Sequence, residues 1–325
     1  MSQLVTIYGG SGFLGRYIAR RMAKAGWRVR VACRRPNEAG FVRPYGAVGQ
    51  VEPVLCNIRD DASVAAAMLG ADAVVNCVGT FDEGGKNNFE AVQAEGAERV
   101  ARIAAEQGVS RMVQISAIGA DAESSSAYGR SKAAGEAGVL EHMPGAVILR
   151  PSVLFGAEDE FFNRFAAMAR LSPVIPLIGA ETKFQPVHVD DVAQAAVAGV
   201  LGKAEGTYEL GGPDVHTFRE LIQQMLGVIR RRKLIIGLPP FIGRMIAFFT
   251  GLGQTLSLGI VKQAITRDQI KSLETDNLPA EGAKGFDSLG IKPVSMESVL
   301  PDYLWRFRPA GQYEALKESA RNLKA

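Results

Sequence analysis

The sequence has few of the residues that build disulfide frameworks and metal centres. Its 325 residues include three cysteines and three histidines, with no CxxC pair and no HxxxH spacing. These counts argue against a disulfide-stapled fold and against a histidine-based metal site. We therefore interpret Cys33, Cys56 and Cys77 as buried thiols of a protein from a reducing compartment, and we expect no metal.

Targeting signals and strong charge are also lacking. The apolar, β-branched run at residues 4–8 meets a glycine cluster at once, so we predict a strand there rather than a signal peptide or a transit segment. The formal net charge of +3 is too small to indicate binding to nucleic acid. With 47% hydrophobic and 22% charged residues, the composition is that of an ordinary globular protein of about two domains.

Strand-like runs alternate with alanine-rich helical stretches through the first half of the chain. The predicted strands cover residues 4–8, 29–32, 51–55, 73–77, 112–116 and 146–149. This alternation predicts an α/β fold in which βαβ units build a doubly wound, parallel sheet of the Rossmann type.

The pattern changes after residue 151 and suggests a second region. Helices are predicted at 161–169 and 190–201, with a proline-broken loop at 172–178 between them. We assign the sheet to a domain at residues 1–213, with 151–190 contributing to a smaller, mostly helical region at 214–325.

A glycine-rich turn directly follows the first predicted strand and opens a helix. Gly9, Gly12 and Gly15 have a spacing that supplies a tight turn, close approach of the backbone to a pyrophosphate and close packing of helix on strand. The free N–H groups of the helix start, at Phe13 and Leu14, favour phosphate. A structural glycine turn is the alternative, but the position between first strand and first helix favours dinucleotide binding.

The end of the second strand indicates which dinucleotide is bound. An NAD site carries Asp or Glu there, to bond the ribose 2′-hydroxyl. This sequence has Arg34 and Arg35 instead, and a guanidinium pairs bidentately with the extra 2′-phosphate of NADP(H). A solvated basic turn is the alternative. Asn57, after the third strand, is placed to contact the adenine.

A tyrosine and a lysine lie one helical turn apart further along the chain. Tyr128 and Lys132 fall on one helix face, and Ser116 ends the fifth predicted strand. An ammonium beside a phenol is expected to lower the phenol pKa from about 10 and to make it an acid or base, while the serine orients a carbonyl. Because the motif is short, the alternative is a tyrosine and a lysine on a helix surface without a functional role.

Together these features resemble the short-chain dehydrogenases/reductases of the extended or atypical kind, over roughly residues 1–213. The resemblance rests on GGSGFLG at 9–15, Ser116, YGRSK at 128–132, LRPSVLFG at 149–156 and HVDDVA at 188–193. It implies that Ser116, Tyr128 and Lys132 are the catalytic residues and that Lys132 also holds the nicotinamide ribose. It further implies cofactor contacts at Val78 and Pro151.

The same resemblance assigns His188 and Asp191 an architectural role at a helix start rather than a metal or a second catalytic base.

Residues 221–267 contain no Asp or Glu but seven basic residues. They are Arg230, Arg231, Arg232, Lys233, Arg244, Lys262 and Arg267. The apolar stretch at 234–249 is interrupted by two prolines, which makes it a poor spanning helix. Basic residues beside an apolar stretch suit an anionic membrane surface or an apolar partner. A helical lid packed on the core is the alternative.

Two later segments resemble one branch of the family, the NADPH-binding accessory subunits of respiratory complex I, the NADH:quinone oxidoreductase. They are TRDQIKSLETDN at 266–277 and YLWRFRP at 303–309. The resemblance implies a structural NADPH without turnover, complex I subunits as partners, and a peripheral position at the cytoplasmic face of the bacterial inner membrane. Arg230 to Lys233 and the 234–262 stretch would then contact anionic lipid or subunits near the quinone site.

Two other functions remain open, and the retained Ser116, Tyr128 and Lys132 favour the first of them and count against the second. One is a free NADPH-dependent reductase or epimerase that acts on a sugar nucleotide or another carbonyl compound. The other is a binding module that senses the NADP redox state without chemistry.

Overall fold

The computed structural model describes residues 2–81, 85–239, 241–243, 245 and 266–313. The chain divides into two compact units. The first comprises Met1–Ser152, Val189–Gly211 and Pro279–Pro293, and the second comprises Val153–His188, Gly212–Leu278 and Val294–Ala325. Of the basic residues singled out above, Arg244 and Lys262 lie outside the described residues, as do residues 246–262 as a whole.

The first unit is built on a seven-stranded sheet. Its strands are β1 (Leu4–Tyr8), β2 (Arg28–Cys33), β3 (Val51–Leu55), β4 (Ala73–Asn76), β5 (Arg111–Ile115), β6 (Val147–Pro151) and β11 (Thr207–Leu210). The order is β11-β6-β5-β4-β1-β2-β3, and every neighbouring pair is parallel. The predicted Rossmann-type parallel sheet is therefore confirmed. The order reverses between β1 and β4, where doubly wound folds bind ligands at the carboxyl ends of the strands.

Helices pack on this sheet and bury the apolar side chains of its strands. They are α1 (Phe13–Lys24), α2 (Asp61–Met68), α3 (Glu95–Glu106), α4 (Ala127–His142) and α6 (Val189–Val200). All five residues of β1 are buried, as expected for a parallel strand covered on both faces. Helix α1 packs on α6, while α2, α3 and α4 share an apolar cluster with strand residues such as Tyr8 and Met112.

The described strands of the second unit form two-stranded sheets, and its core is rich in aromatic residues. Its described strands pair as β7 (Leu154–Phe155) with β10 (Val187–His188), β9 (Lys183–Phe184) with β12 (His216–Thr217), and β8 (Val174–Ile178) with β13 (Leu234–Leu238). Its helices are α5 (Phe161–Leu171), α7 (Phe218–Val228), α8 (Arg267–Ser272) and α9 (Met296–Leu304). A core that includes Phe162, Phe218 and Tyr303 joins α5, α7 and α9.

One expectation for this second region is wrong. The loop predicted at 172–178 is largely strand β8, which pairs in parallel with β13. Leu234 donates its N–H to the carbonyl of Pro173 at 3.1 Å, so by alternation the nitrogen of Pro176 faces away from β13 and no ladder bond is lost. The apolar stretch at 234–249 begins as strand β13, and its residues 240, 244 and 246–249 lie outside the described residues.

One late segment differs from the division made from the sequence. Pro279–Pro293 clusters with the first unit, although it lies within the region assigned to the C-terminal part. The backbone N–H of Glu209 donates to the carbonyl of Lys284 at 2.9 Å, and the Glu209 carboxylate accepts from the N–H of Ala280 at 2.7 Å. These bonds attach the segment to β11. Strand β11 was also not predicted from the sequence.

None of the helices among residues 2–81, 85–239 and 266–313 has the length and the apolar character needed to span a bilayer.

Candidate cofactor-binding site

The glycine turn after β1 has the backbone that its sequence predicted. Gly9 adopts a left-handed φ of 72°, and its N–H donates to the carbonyl of Ala32 on β2 at 2.9 Å. A Cβ built at Gly15 would lie 2.6 Å from the Cα of Gly10, which real Cβ atoms essentially never show. Glycine is therefore required at both positions, one for conformation and one for close packing.

The first turn of α1 faces this glycine turn. Gly12 caps the helix and has no side chain to bond the first N–H groups, which belong to Phe13, Leu14 and Gly15. A helix start without a side-chain cap is a site for an anion such as a pyrophosphate. Val78, two residues beyond β4, closes the turn from the other side, 3.2 Å from where a Cβ of Gly9 would be.

The basic residues after β2 have different surroundings. Arg35 is exposed and pairs with Glu38 at 3.2 Å. Arg34 is also exposed, and no residue in the described part of the chain bonds or ion-pairs with its guanidinium. Asn57 lies at the end of the neighbouring strand β3, where its side-chain oxygen accepts from the N–H of Arg59 at 3.2 Å. Of these two arginines, Arg34 is therefore the one whose guanidinium N–H donors are all available to a ligand.

Ser116 lies at the carboxyl end of β5 and has an unusual environment. Its N–H donates to the carbonyl of Leu149 at 2.7 Å, which fixes the backbone beside β6. Its hydroxyl is buried and has no hydrogen-bond partner among the described residues. A buried polar atom without a partner costs about 1–3 kcal/mol unless a ligand satisfies it. Pro151, which ends β6, accepts from the N–H of Ile118 at 3.1 Å and so shapes the same strand end.

Tyr128 lies in the first turn of α4, which Ser126 caps by accepting from Gly129. The ring of Phe81 stacks on the Tyr128 ring with centroids 5.3 Å apart, and Phe89 meets it edge-on at 5.9 Å. Burial raises the pKa of Tyr128 to about 12. This shift is opposite to the lowering that was expected from the neighbouring lysine, and its cause is burial, which disfavours the charged phenolate.

Lys132 is buried one turn further along α4. Its Nζ lies 5.7 Å from the centroid of the Tyr128 ring, and burial lowers its pKa to about 8. Glu136, the next residue on that helix face, opposes this shift through its charge. The carboxylate of Glu136 is itself held by Arg150 at 2.6 and 2.9 Å, and Arg150 also pairs with Glu209 at 3.1 Å. This buried network fixes the helix that carries the tyrosine and the lysine.

The sequence analysis missed the residues that surround this pair. Residues Glu90–Ala94 form a π-helical turn in front of α3, and such turns are frequent at functional sites. It includes Gln93, whose Nε2 donates to the Ser131 hydroxyl at 3.3 Å and whose buried Oε1 has no partner among the described residues. Nothing in the sequence signals a π-turn. Phe81 and Phe89 were visible as aromatic residues, but no spacing linked them to Tyr128.

The HVDDVA segment has structural contacts. Asp190 at the start of α6 pairs with Arg21 of α1 at 2.7 and 2.8 Å. Asp191 is buried in the same helix, and the His188 ring lies 5.4 Å from Phe155.

The glycine turn, the open helix start and the unpartnered Ser116 hydroxyl fit a dinucleotide cofactor at the switch point of the sheet. The fold and this site together define a Rossmann-type, nucleotide-binding protein of the short-chain dehydrogenase/reductase kind. The sequence matches the NAD dependent epimerase/dehydratase family over residues 5–211, and the chain belongs to that family.

Relatives extend the similarity beyond the residues that the family covers. The mitochondrial NADH dehydrogenase (ubiquinone) 1 alpha subcomplex subunit 9 of Arabidopsis thaliana is 36% identical over 316 residues, covering 95% of this chain and 79% of the relative. A ceramide reductase of Caulobacter vibrioides is 31% identical over 239 residues, covering 73% and 74%. The chain is thus similar both to subunits of complex I and to an enzyme.

Solved structures support the fold. The UDP-glucose 4-epimerase of Thermus thermophilus, in complex with NAD, has a TM-score of 0.68 at 20% identity and covers 95% of this chain and all of its own.

Proposed function

We propose that this chain is an NADPH-binding accessory subunit of a bacterial respiratory complex I, in which the cofactor is held rather than turned over. The observation that carries the proposal is the similarity to a complex I subunit over 95% of this chain. That similarity includes the C-terminal third, which the family match at residues 5–211 leaves out. The similarity to the ceramide reductase, by comparison, covers 73% of this chain.

The residues of the first unit fit NADPH as follows. The glycine turn and the start of α1 would hold the pyrophosphate, and Arg34 would pair with the 2′-phosphate. Ser116, Tyr128 and Lys132 would bond the nicotinamide end, with Val78 and Pro151 beside it. When bound, NADPH supplies a hydride donor at this end of the site.

The surroundings of Tyr128 support holding over turnover. An efficient acid or base has a pKa near the working pH, whereas burial raises the pKa of this phenol to about 12. A neutral phenol still donates and accepts hydrogen bonds, so it can bind ribose hydroxyls. Phe81 also stacks on the face of the Tyr128 ring.

The proposed location is the cytoplasmic face of the bacterial inner membrane, with the chain bound peripherally where the two arms of the complex meet. Its role there is assembly and stability. The basic residues from Arg230 to Lys233 and the stretch at 234–262 would make the contact, with other complex I subunits as partners.

A free NADPH-dependent reductase or epimerase is the second candidate. Two observations favour it: Ser116, Tyr128 and Lys132 are all present, and a ceramide reductase is 31% identical over most of this chain.

Tyr128→Phe separates the two candidates. For an accessory subunit, we expect the variant purified from its host to retain bound NADPH and its place in the complex, because only one hydroxyl is lost. For a reductase, carbonyl-dependent NADPH oxidation falls by at least about 100-fold. The exposed Tyr313→Phe serves as the matched control. Loss of turnover on a carbonyl substrate in Tyr128→Phe alone would contradict the proposal.

A further inference from the structure

Strand β13 of the second unit has one edge that no strand in the described part of the chain pairs with. It pairs on one side with β8, and Leu234 donates its N–H to Pro173 on that side. Alternate residues of a parallel strand bond to the same neighbour, so the N–H and C=O groups of Ile235 and Gly237 point to the other side. No residue in the described part of the chain bonds to them. With respect to the described residues, the strand therefore has free ladder groups along its outer edge.

Among residues 2–81, 85–239, 241–243, 245 and 266–313, nothing supplies the features that usually protect this kind of edge from pairing. Natural edges are shortened, charged, bulged, interrupted by proline or covered. Strand β13 has the sequence LIIGL over five regular residues, and the side chains of Leu234 and Ile236 are 62% and 40% exposed. An exposed apolar edge of this kind indicates a surface that is paired in its working state.

A basic cluster directly precedes the strand. Arg230 has a left-handed φ of 54°, uncommon for a residue other than glycine, and turns the chain from α7 into β13. Neither Arg232 nor Lys233 has an ion-pair partner among the described residues. Together with Arg219 and Arg231 they line a cleft of about 380 Å³ next to Ile235. Arg219 pairs with Glu181 at 3.1 Å, and residues 221–267 contain no acidic residue.

We propose that the outer edge of β13 and this basic cluster form one docking site for an extended, acidic segment of a partner protein, which adds as a further strand. Backbone bonds to Ile235 and Gly237 would give affinity, and carboxylates facing Arg232 and Lys233 would fix register and direction. A lipid surface could satisfy the cations, but it could not form a β-ladder with the free N–H and C=O groups. A peptide segment satisfies both.

This inference deepens the proposed function, because it states the chemistry of the partner. It rests on that function only for the partner's identity as a complex I subunit.

The test uses the full chain and a short dye-labelled peptide of alternating valine and glutamate, with valine and lysine as the reversed-charge peptide. Gly237→Pro removes an outward N–H while leaving the bonds to β8, and Gly237→Ala is its matched control. The Cβ of either variant would meet only the end of the Arg219 side chain at 3.1 Å and Ala180 at 3.5 Å.

The double variant Arg232→Glu with Lys233→Glu tests the charges, and Lys203→Glu with Lys292→Glu, both exposed, is its control.

We expect the acidic peptide to bind and the basic one not to bind. Binding should slow hydrogen exchange at the amides of Ile235 and Gly237. Gly237→Pro and the charge-reversed pair should each weaken binding about tenfold or more, and their controls should not. Thermal unfolding of each variant checks the fold, and the charge variant tests the site if Gly237→Pro does not fold.

Two results would overturn the inference. One is an acidic peptide that fails to bind the wild-type chain. The other is binding to vesicles of anionic phospholipid that is equal for Gly237→Pro and Gly237→Ala and leaves the two amides unprotected, which would make this a membrane surface. Peptide binding by a chain that does not co-migrate with complex I would contradict the proposed function and leave this docking site intact.

Discussion

At the scale of single residues, the candidate site contains two buried polar atoms that lack a partner among the described residues, together with two titratable groups whose pKa burial shifts. Ser116 has an unpartnered hydroxyl and Gln93 an unpartnered amide oxygen among the described residues, and burial shifts the pKa of Tyr128 upward and that of Lys132 downward. Each of these groups costs folding free energy in the chain alone. A cofactor that bonds them recovers that cost, so these residues link stability to binding.

Arg34 is expected to select NADPH over NADH. A bidentate, charge-assisted contact contributes about 1.5–3 kcal/mol, so Arg34→Ala should weaken NADPH binding by roughly 10- to 100-fold and leave NADH binding unchanged. Calorimetric titration of both nucleotides measures this. Arg43→Ala, which removes another exposed arginine nearby, should change neither affinity. Equal NADPH affinity in wild type and Arg34→Ala would refute the choice of cofactor.

Lys132 is expected to cost stability at neutral pH. Its pKa is about 8 in the folded chain and 10.5 when exposed, so the folded state releases its proton first and the free energy of unfolding rises with pH between these values. Lys132→Met should therefore be more stable than wild type by up to about 3 kcal/mol at pH 7, and this gain should shrink towards pH 10.

Urea unfolding at the two pH values measures the effect, with the exposed Lys203→Met as control. NADPH affinity should fall in Lys132→Met, because the ammonium no longer reaches the ribose. A stability gain that is the same at pH 7 and pH 10 would show that burial does not lower the pKa of Lys132 in the folded chain.

At the scale of elements, the turn from β1 into α1 couples packing to binding. A Cβ at Gly15 meets backbone atoms that cannot rotate away. Gly15→Ala should lower the free energy of unfolding by about 2 kcal/mol or more and abolish nucleotide binding. Gly40→Ala, with nothing within 4 Å of the new methyl group, should change stability by less than about 0.5 kcal/mol. Denaturant unfolding compares them, and a neutral Gly15→Ala would contradict the close packing of helix on strand.

Elements with a strong local pattern could be predicted from the sequence. Strand β1 begins and ends where its apolar run does, and α1 follows its glycines, because a parallel strand that is buried on both faces consists largely of apolar residues. Strand β8 could not be predicted, because a proline such as Pro176 indicates a loop. Proline fits within a strand only where its nitrogen faces away from the paired strand, and the sequence alone does not give that direction.

The candidate site could be predicted only in part, for a similar reason. Local spacing located Gly9, Arg34 and Tyr128, whose roles depend on motif and position. The contacts of Phe81 and Gln93 with the tyrosine helix depend on tertiary packing. The direction of the Tyr128 pKa shift also depends on how deeply the ring is buried, which no spacing encodes.

At the scale of the whole molecule, charge is unevenly divided along the chain. Of 37 basic residues, seven fall in residues 221–267 and 30 elsewhere, against 34 acidic residues that all lie elsewhere. The nucleotide-binding unit can thus be nearly neutral while one segment of the second unit is strongly basic. This division is what a bound, partner-facing subunit needs, because a localised charge orients the chain on an acidic surface.

The central claim is membership of complex I, and its most direct test is the size at which the chain migrates. Native membranes solubilised in mild detergent are separated by size, and each fraction is assayed for this chain, for NADH:quinone oxidoreductase activity and for extractable NADPH. We expect the chain and its NADPH to co-migrate with the activity. A chain found only as a small soluble species would contradict the account and favour the free reductase.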